Sequence, residues 1–351
     1  MQRKLLNTTM ANEKKDRQLN FEMLRIVSMF LILTIHYNVP VNGSPTWSDI
    51  QDNTLCSLGI IQLKSITFVG ANVFVMISGY FRIYWKWKSF LSFIYQLAFW
   101  AAFTYILTWI CGRHEFSILV FGQRILNCCA ANWFYLSYIG LYLFAPVLNA
   151  YIDSISNRQL AIFIGIFYTF AIIFGYITQQ SPEFNKGCSF VCLIGLYLTG
   201  AFISKSKHKI FKFKASSHFV AFILLGWILG AISIVAIYFG STKDVYGYLN
   251  PFILSECVLL FLGFSKLTFT QHRKVIMYFS SSVLAVLLLH YSPDTAGIYR
   301  ECLKKITETG SYPFVFIPIF FIFIFVAATL IDKIRIKSWK ILSSYLVHFH
   351  F

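Results

Sequence analysis

The chain has 351 residues, of which 57% are apolar, 19% aromatic and only 13% charged, against roughly 25% charged in soluble domains. A soluble fold of this size cannot hide so much apolar surface, so the composition excludes a soluble enzyme and predicts an all-α, polytopic helical membrane protein. The net charge of +16 points to anionic lipid headgroups and excludes nucleic acid as a partner, because the basic residues gather on one side of the apolar stretches.

Residues 1–20 read as a polar cytoplasmic segment carrying Arg3, Lys4, Lys14, Lys15 and Arg17. The apolar stretch that follows has no small-residue cleavage site and is read as an uncleaved span. Ten spans are predicted near 21–39, 65–81, 90–111, 133–152, 160–178, 188–204, 218–240, 248–267, 275–293 and 313–332. They make one transmembrane domain over 21–332, followed by a basic cytoplasmic tail over 333–351. The first outer loop, 40–64, is long enough to cover an outer opening. Residues 113–132 form a second outer stretch in which Phe116 to Phe121 is too short to span, and 291–312 is the most charged external region. With the N-terminus inside, the inner segments hold 21 of the 30 Lys and Arg residues, among them the run Lys205, Lys207, Lys209, Lys212, Lys214. That asymmetry predicts both termini in the cytoplasm. There is no tandem repeat and no glycine-rich phosphate loop. The eight cysteines form no CxxC pair and no Cys/His set with metal spacing, so no metal is expected. An external disulfide through Cys56 or Cys302 is left open.

The first span carries the chemistry. Ionisable side chains inside a span are expensive, about 2.5–3.5 kcal/mol for a central Arg, and mark function by default. Arg25 and His36 lie eleven positions apart, a rotation of about 1100°, within about 20° of three full turns. They share one helix face, with Glu22 about 60° to one side of Arg25, there to pair with it, to face the interface or to move a proton. An acid, a guanidinium and an imidazole in a stripe belong against a cavity and not against lipid. Taking the span to begin near Phe21, His36 lies about 22 Å along an apolar layer of about 30 Å, and Arg25 lies within about two turns of the cytoplasmic edge. Glu256, in Ser255-Glu256-Cys257, is the other costly intramembrane acid, serving either acceptor choice or a structural hydrogen bond.

Four stretches carry a family resemblance. Asn20-Phe21-Glu22-Met23-Leu24-Arg25, with His36 after ten intervening residues, resembles the opening signature of the integral-membrane acyltransferase 3 family, with Glu22 where Asp is common. Gly70 to Tyr80, with its Ser78-Gly79-Tyr80 ending, is similar to that family's second-span motif. Asn132-Trp133-Phe134-Tyr135 through Tyr138, Ile139, Leu141, Tyr142, Pro146 and Asn149 is similar to its Trp-Phe segment. Ser282 to His290 is similar to its late span ending in His. The chain departs from the family at the Arg-x-x-Arg pair near the third span, where it offers Arg82, Lys86 and Lys88.

The resemblance implies transfer of an acetyl group from acetyl-CoA, a substrate and not a bound cofactor, to a hydroxyl of an envelope glycan or lipid-linked saccharide in the bacterial cytoplasmic membrane. It implies that Arg25 serves the donor, together with Arg82, Lys86 and Lys88, and that His36 is the base for a sugar hydroxyl. His290 is either a second cavity residue or an outer-interface His, and Asn72 bonds either within the cavity or across helices. Trp133, Tyr135 and Tyr138 either stack on a sugar or belong to the aromatic belt, and Ser78 and Gly79 read as close-packing residues. The rival reading is an exporter or flippase of a polysaccharide intermediate. A broken helix and paired internal repeats would mark that class, and the sequence displays neither.

Overall fold

The length of each apolar run sets the architecture, since a backbone in lipid must satisfy its own hydrogen bonds and a helix does so within one segment. The computed structural model describes residues 18–206, 213–241, 245–309 and 312–346. The sequence expectations for residues 1–17, for Lys207, Lys209 and Lys212, for Lys243 as one of the basic residues on the predicted outer side, and for the end of the tail at 347–351 lie outside the described residues. All regular structure among the described residues is helical.

In chain order the helices are α1 (Leu19–Tyr37), α2 (Trp47–Asp52), α3 (Thr54–Thr67), α4 (Gly70–Phe81), α5 (Trp87–Ile110), α6 (Ile118–Leu126) and α7 (Trp133–Ser154). They continue as α8 (Asn157–Phe170), α9 (Phe190–Lys205), α10 (Ala215–Tyr238), α11 (Pro251–Ser265), α12 (Arg273–Ser280), α13 (Val283–His290), α14 (Ala296–Thr309) and α15 (Pro313–Leu346). Eight helical segments among the described residues are long and apolar enough to cross a membrane, and α9 and α11 are shorter apolar helices. These ten lie where the ten spans are predicted. Large apolar side chains line the outward faces, such as Ile162 and Ile166 on α8, Leu224 and Trp227 on α10, and Ile319 and Phe323 on α15. Lipid is the solvent that suits such faces.

Three predicted loops are largely helical. The 40–64 stretch folds into α2 and most of α3. Thr46 and Asp49 close a reciprocal cap on α2, and the Thr46 hydroxyl holds the Asp49 carboxyl below the usual carboxylate range. The second span therefore begins at Thr54 and not at 65. Its polar residues are absorbed: Lys64 is buried, donating to Ser44 Oγ at 3.1 Å and lying over the Tyr246 ring. Residues 113–132 contain α6, capped by Ser117. Residues 291–312 contain α14, which buries Tyr299 and Leu303 and turns Glu301 and Lys304 outward.

The last helix runs unbroken through position 332 to Leu346. Just past that boundary the buried Arg335 guanidinium grips Asp332 with two bonds of 2.9 Å, and Gln96 and Trp100 on α5 donate to the same carboxylate. All eight cysteines are free thiols.

The ninth span is broken, which its apolar composition did not suggest. Ser281 and Ser282 form a turn between α12 and α13. The hydroxyls of Ser280 and Ser281 donate back to the carbonyls of Met277 and Tyr278, a local bonding habit of serine that competes with helix. Lys333 Nζ secures the turn, donating to Tyr278 O at 2.6 Å and Ser281 Oγ at 2.8 Å.

Two hydrophobic cores result. One gathers α4, α7, α9, α10 and α11 with Phe21 and Leu24 of α1. The other gathers α5, α13, α14 and α15 with Met29, Ile32, Leu33 and Tyr37 of α1. Helix α1 thus belongs to both. Within the first core α4 and α9 touch backbone to backbone. A Cβ at Gly79 would lie 2.0 Å from the Tyr197 carbonyl oxygen, and one at Gly200 would lie 2.1 Å from that of Met76. Small residues at such crossings permit the packing that holds helices together in lipid. Gly200→Ala therefore forces two backbones apart and lowers stability by about 1–3 kcal/mol, seen as a lower unfolding temperature in detergent. Gly165→Ala on α8, where a Cβ meets nothing within 4 Å, is the silent control. Equal melting of the two variants sinks the packing argument.

Candidate active site

The stripe on α1 consists of Arg25, Met29, Ile32 and His36, at successive steps of four, three and four residues, which is one helix face. All four line a cavity of about 310 Å³ lying between the two cores. Its other walls come from Ala71, Phe74 and Ser78 on α4, from Trp133, Phe134 and Tyr138 on α7, and from the strip Ser280 to Tyr291 on α12 and α13.

At one end stands Arg25. Its Nη1 donates to Glu22 Oε1 at 2.6 Å, with the Glu22 side chain 4% exposed and that of Arg25 26% exposed. The carboxylate orients the guanidinium, whose five N–H donors outnumber what one acid can occupy. Beside it, the Ser78 hydroxyl donates to Phe74 O, so the 2.9 Å contact with Tyr138 is a bond donated by the tyrosine. Ser78 is therefore part of the cavity, while Gly79 serves the helix crossing.

At the other end stands His36. Its Nδ1 lies 2.9 Å from Nε2 of His290, and Nδ1 of His290 lies 2.6 Å from Val286 O. The Tyr291 ring stacks on His36 with centroids 3.8 Å apart and planes 11° from parallel. Trp133, packed 5.3 Å from the Tyr248 ring, closes this end with Asn132 and Tyr248. Asn72 is not in the lining. It donates to Tyr248 O at 3.1 Å and holds that wall in place. Among the described residues, no group of three or more His, Cys, Asp or Glu side chains could hold a metal.

Other sequence candidates lie elsewhere. Tyr135 is buried in the second core, away from the cavity, its hydroxyl unpartnered among the described residues. Arg82 donates to Asn149 Oδ1 at 3.1 Å and to Asp153 Oδ1 at 3.3 Å, fastening the turn after α4, where its own φ is +64°. Lys86 and Lys88 are exposed, and neither reaches the cavity. Arg82, Lys86 and Lys88, expected to bind the donor, thus lie outside the lining of this cavity, and Arg25 is the cation that lines it. Tyr138, which the sequence marks as part of the Trp-Phe segment, lines the cavity, whereas Tyr248, Tyr291, Ser280 and Ser281 join the site without a signal in the sequence, since a chain with 20 tyrosines does not single out two.

Glu256 is 0% exposed, and neither carboxyl oxygen has a partner among the described residues. It faces α10, where a Cβ at Gly226 would lie 3.1 Å from its Oε1, and it does not line the cavity. Glu256→Gln is therefore expected to leave acyl transfer within about twofold of the parent, since the isosteric amide changes nothing at the site. Glu256→Met removes an unpartnered buried polar group and should preserve or raise thermal stability. A large loss of transfer in the Gln variant, at normal abundance, would return Glu256 to the acceptor site.

No curated protein and no solved structure matches the chain. A family model does: the acyltransferase domain of the acyltransferase 3 family matches residues 18–333, spanning both cores and every residue of the cavity. With a membrane-helical fold and that match along most of its length, the chain belongs to the acyltransferase 3 family and is a membrane acyltransferase.

Proposed function

We propose that this acyltransferase moves an acetyl group from cytoplasmic acetyl-CoA to a hydroxyl of an envelope glycan or its lipid-linked precursor, across the bacterial plasma membrane. The observation that carries the reading is the single cavity with Arg25 at one end and His36 at the other. The positive-inside pattern of the sequence orients the Arg25 end toward the cytoplasm, where the anionic donor is made. A guanidinium suits the donor's phosphates or carbonyls. A neutral imidazole suits a sugar hydroxyl, a poor nucleophile until its proton is removed. The hydroxyl gives its proton to His36 as its oxygen attacks the thioester carbon. The carbon–sulfur bond then breaks, and the thiolate takes that proton from the imidazolium. Trp133 offers a flat apolar face to a sugar at the His36 end.

The broken ninth span, like the turn at Phe68–Val69 between α3 and α4 in the second, is a feature an exporter would share, and the test separates the two. Purified full-length protein in nanodiscs is given acetyl-CoA with and without the host's envelope glycan. Acyl transfer predicts glycan-dependent release of free CoA and an O-acetyl signal in the glycan by NMR. Glycan movement across vesicles without CoA release would replace this reading with a carrier.

A further inference from the structure

Resting on that reading of His36 as a base, the hydrogen-bond chain behind it decides which ring nitrogen does the work. The Val286 carbonyl can only accept, so the 2.6 Å contact puts a proton on Nδ1 of His290. A neutral imidazole with a proton on Nδ1 has its lone pair on Nε2. That atom faces Nδ1 of His36 at 2.9 Å. Two lone pairs cannot face each other at that distance, so His36 donates from Nδ1, and its own lone pair is on Nε2.

We propose that His290 is a positioning residue that holds His36 in the Nδ1–H tautomer, leaving Nε2 as the nitrogen that takes the proton of the acceptor hydroxyl. Two consecutive residues grip one ring, His290 by its edge and Tyr291 by its face. His290 is itself fixed, 1% exposed at the end of α13. The Tyr299 ring lies 5.0 Å from it and donates its hydroxyl to Leu33 O on α1 at 2.8 Å. When Nε2 takes the proton, the Nδ1–H bond to His290 becomes charge-assisted and strengthens. The proton does not travel on through His290, because its acceptor among the described residues is a backbone carbonyl, that of Val286. It stays on His36 until the departing thiolate collects it.

The test uses His290→Leu and His290→Gln in the full-length protein. A glutamine can set its amide oxygen where Nε2 of the histidine stood and accept from His36, whereas leucine cannot. His290→Leu is expected to lower kcat by about 10–100-fold, the loss seen when a metal-bound histidine loses the partner that orients its ring, with an unchanged KM for acetyl-CoA. His290→Gln is expected to recover most of that loss. Equal impairment of the two variants at parental abundance, or full activity in His290→Leu, overturns the assignment. A second readout needs no turnover. In parent protein labelled with ¹⁵N-histidine, and with His36→Ala to identify the signal, solid-state NMR should find His36 protonated on Nδ1 and bare on Nε2. A proton on Nε2 in the resting state overturns the proposal. A parent that releases no CoA removes the functional reading instead and leaves the tautomer to the NMR result.

Discussion

His36→Ala stops acyl transfer while the protein stays in the membrane at its normal abundance. Removing a positioned base typically slows a reaction by about 10²–10⁴-fold, and nothing else in the cavity replaces it. His290, the nearest imidazole, has Nδ1 committed to Val286 O and sits behind His36, outside the cavity lining. The fold should tolerate the change because His36 is half-buried at a cavity wall, so its loss enlarges an existing space. Glycan-dependent CoA release and membrane abundance are measured together. Transfer within a few-fold of the parent takes His36 out of the mechanism.

Arg25→Lys is the second large effect, and it falls on the donor. Lysine keeps the charge and can still pair with Glu22, now 2.6 Å from the guanidinium. What it lacks is the planar fork that holds two oxygens at once. Losing one or two charge-assisted bonds of about 1.5–3 kcal/mol each raises the donor KM by about 10–100-fold or more. The expected signature is a raised KM for acetyl-CoA with a smaller change in kcat, opposite to the His36 variant. A fully active Lys variant would make Arg25 an anchor in the inner headgroups and nothing more.

The stripe of Arg25, Met29, Ile32 and His36 is legible in the sequence because helical periodicity alone sets it. The spans are legible because lipid imposes a length on them. The rest depends on which helices become neighbours. His290 meets His36 across 254 positions, and no local pattern announces that pairing. Arg82 reaches Asn149 and Asp153 on α7, across 67 and 71 positions, and no local pattern announces those bonds either. Helix α3 reads as a loop because Ser57, Gln62, Lys64 and Ser65 lower its hydropathy, yet Ser57, Lys64 and Ser65 are buried against the fold. The turn at Ser281–Ser282 hides within an apolar run, and Lys333, which reads as part of a basic tail, holds it.

Arg25 and His36 stand on one uninterrupted helix, eleven residues and therefore about 16 Å of rise apart. No rearrangement of the surrounding helices alters that spacing while α1 stays intact. Side chains leaning toward one another close only part of it, so the atom gripped at Arg25 cannot be the atom attacked at His36. On the proposed reading the helix is in effect a gauge, and what it measures is the donor's reach. A donor with an anionic head and an acyl carbon at the far end of a long arm satisfies both stations at once. One with the same head on a shorter arm docks and stays unreacted, so selection among thioesters would be set by length before chemistry begins.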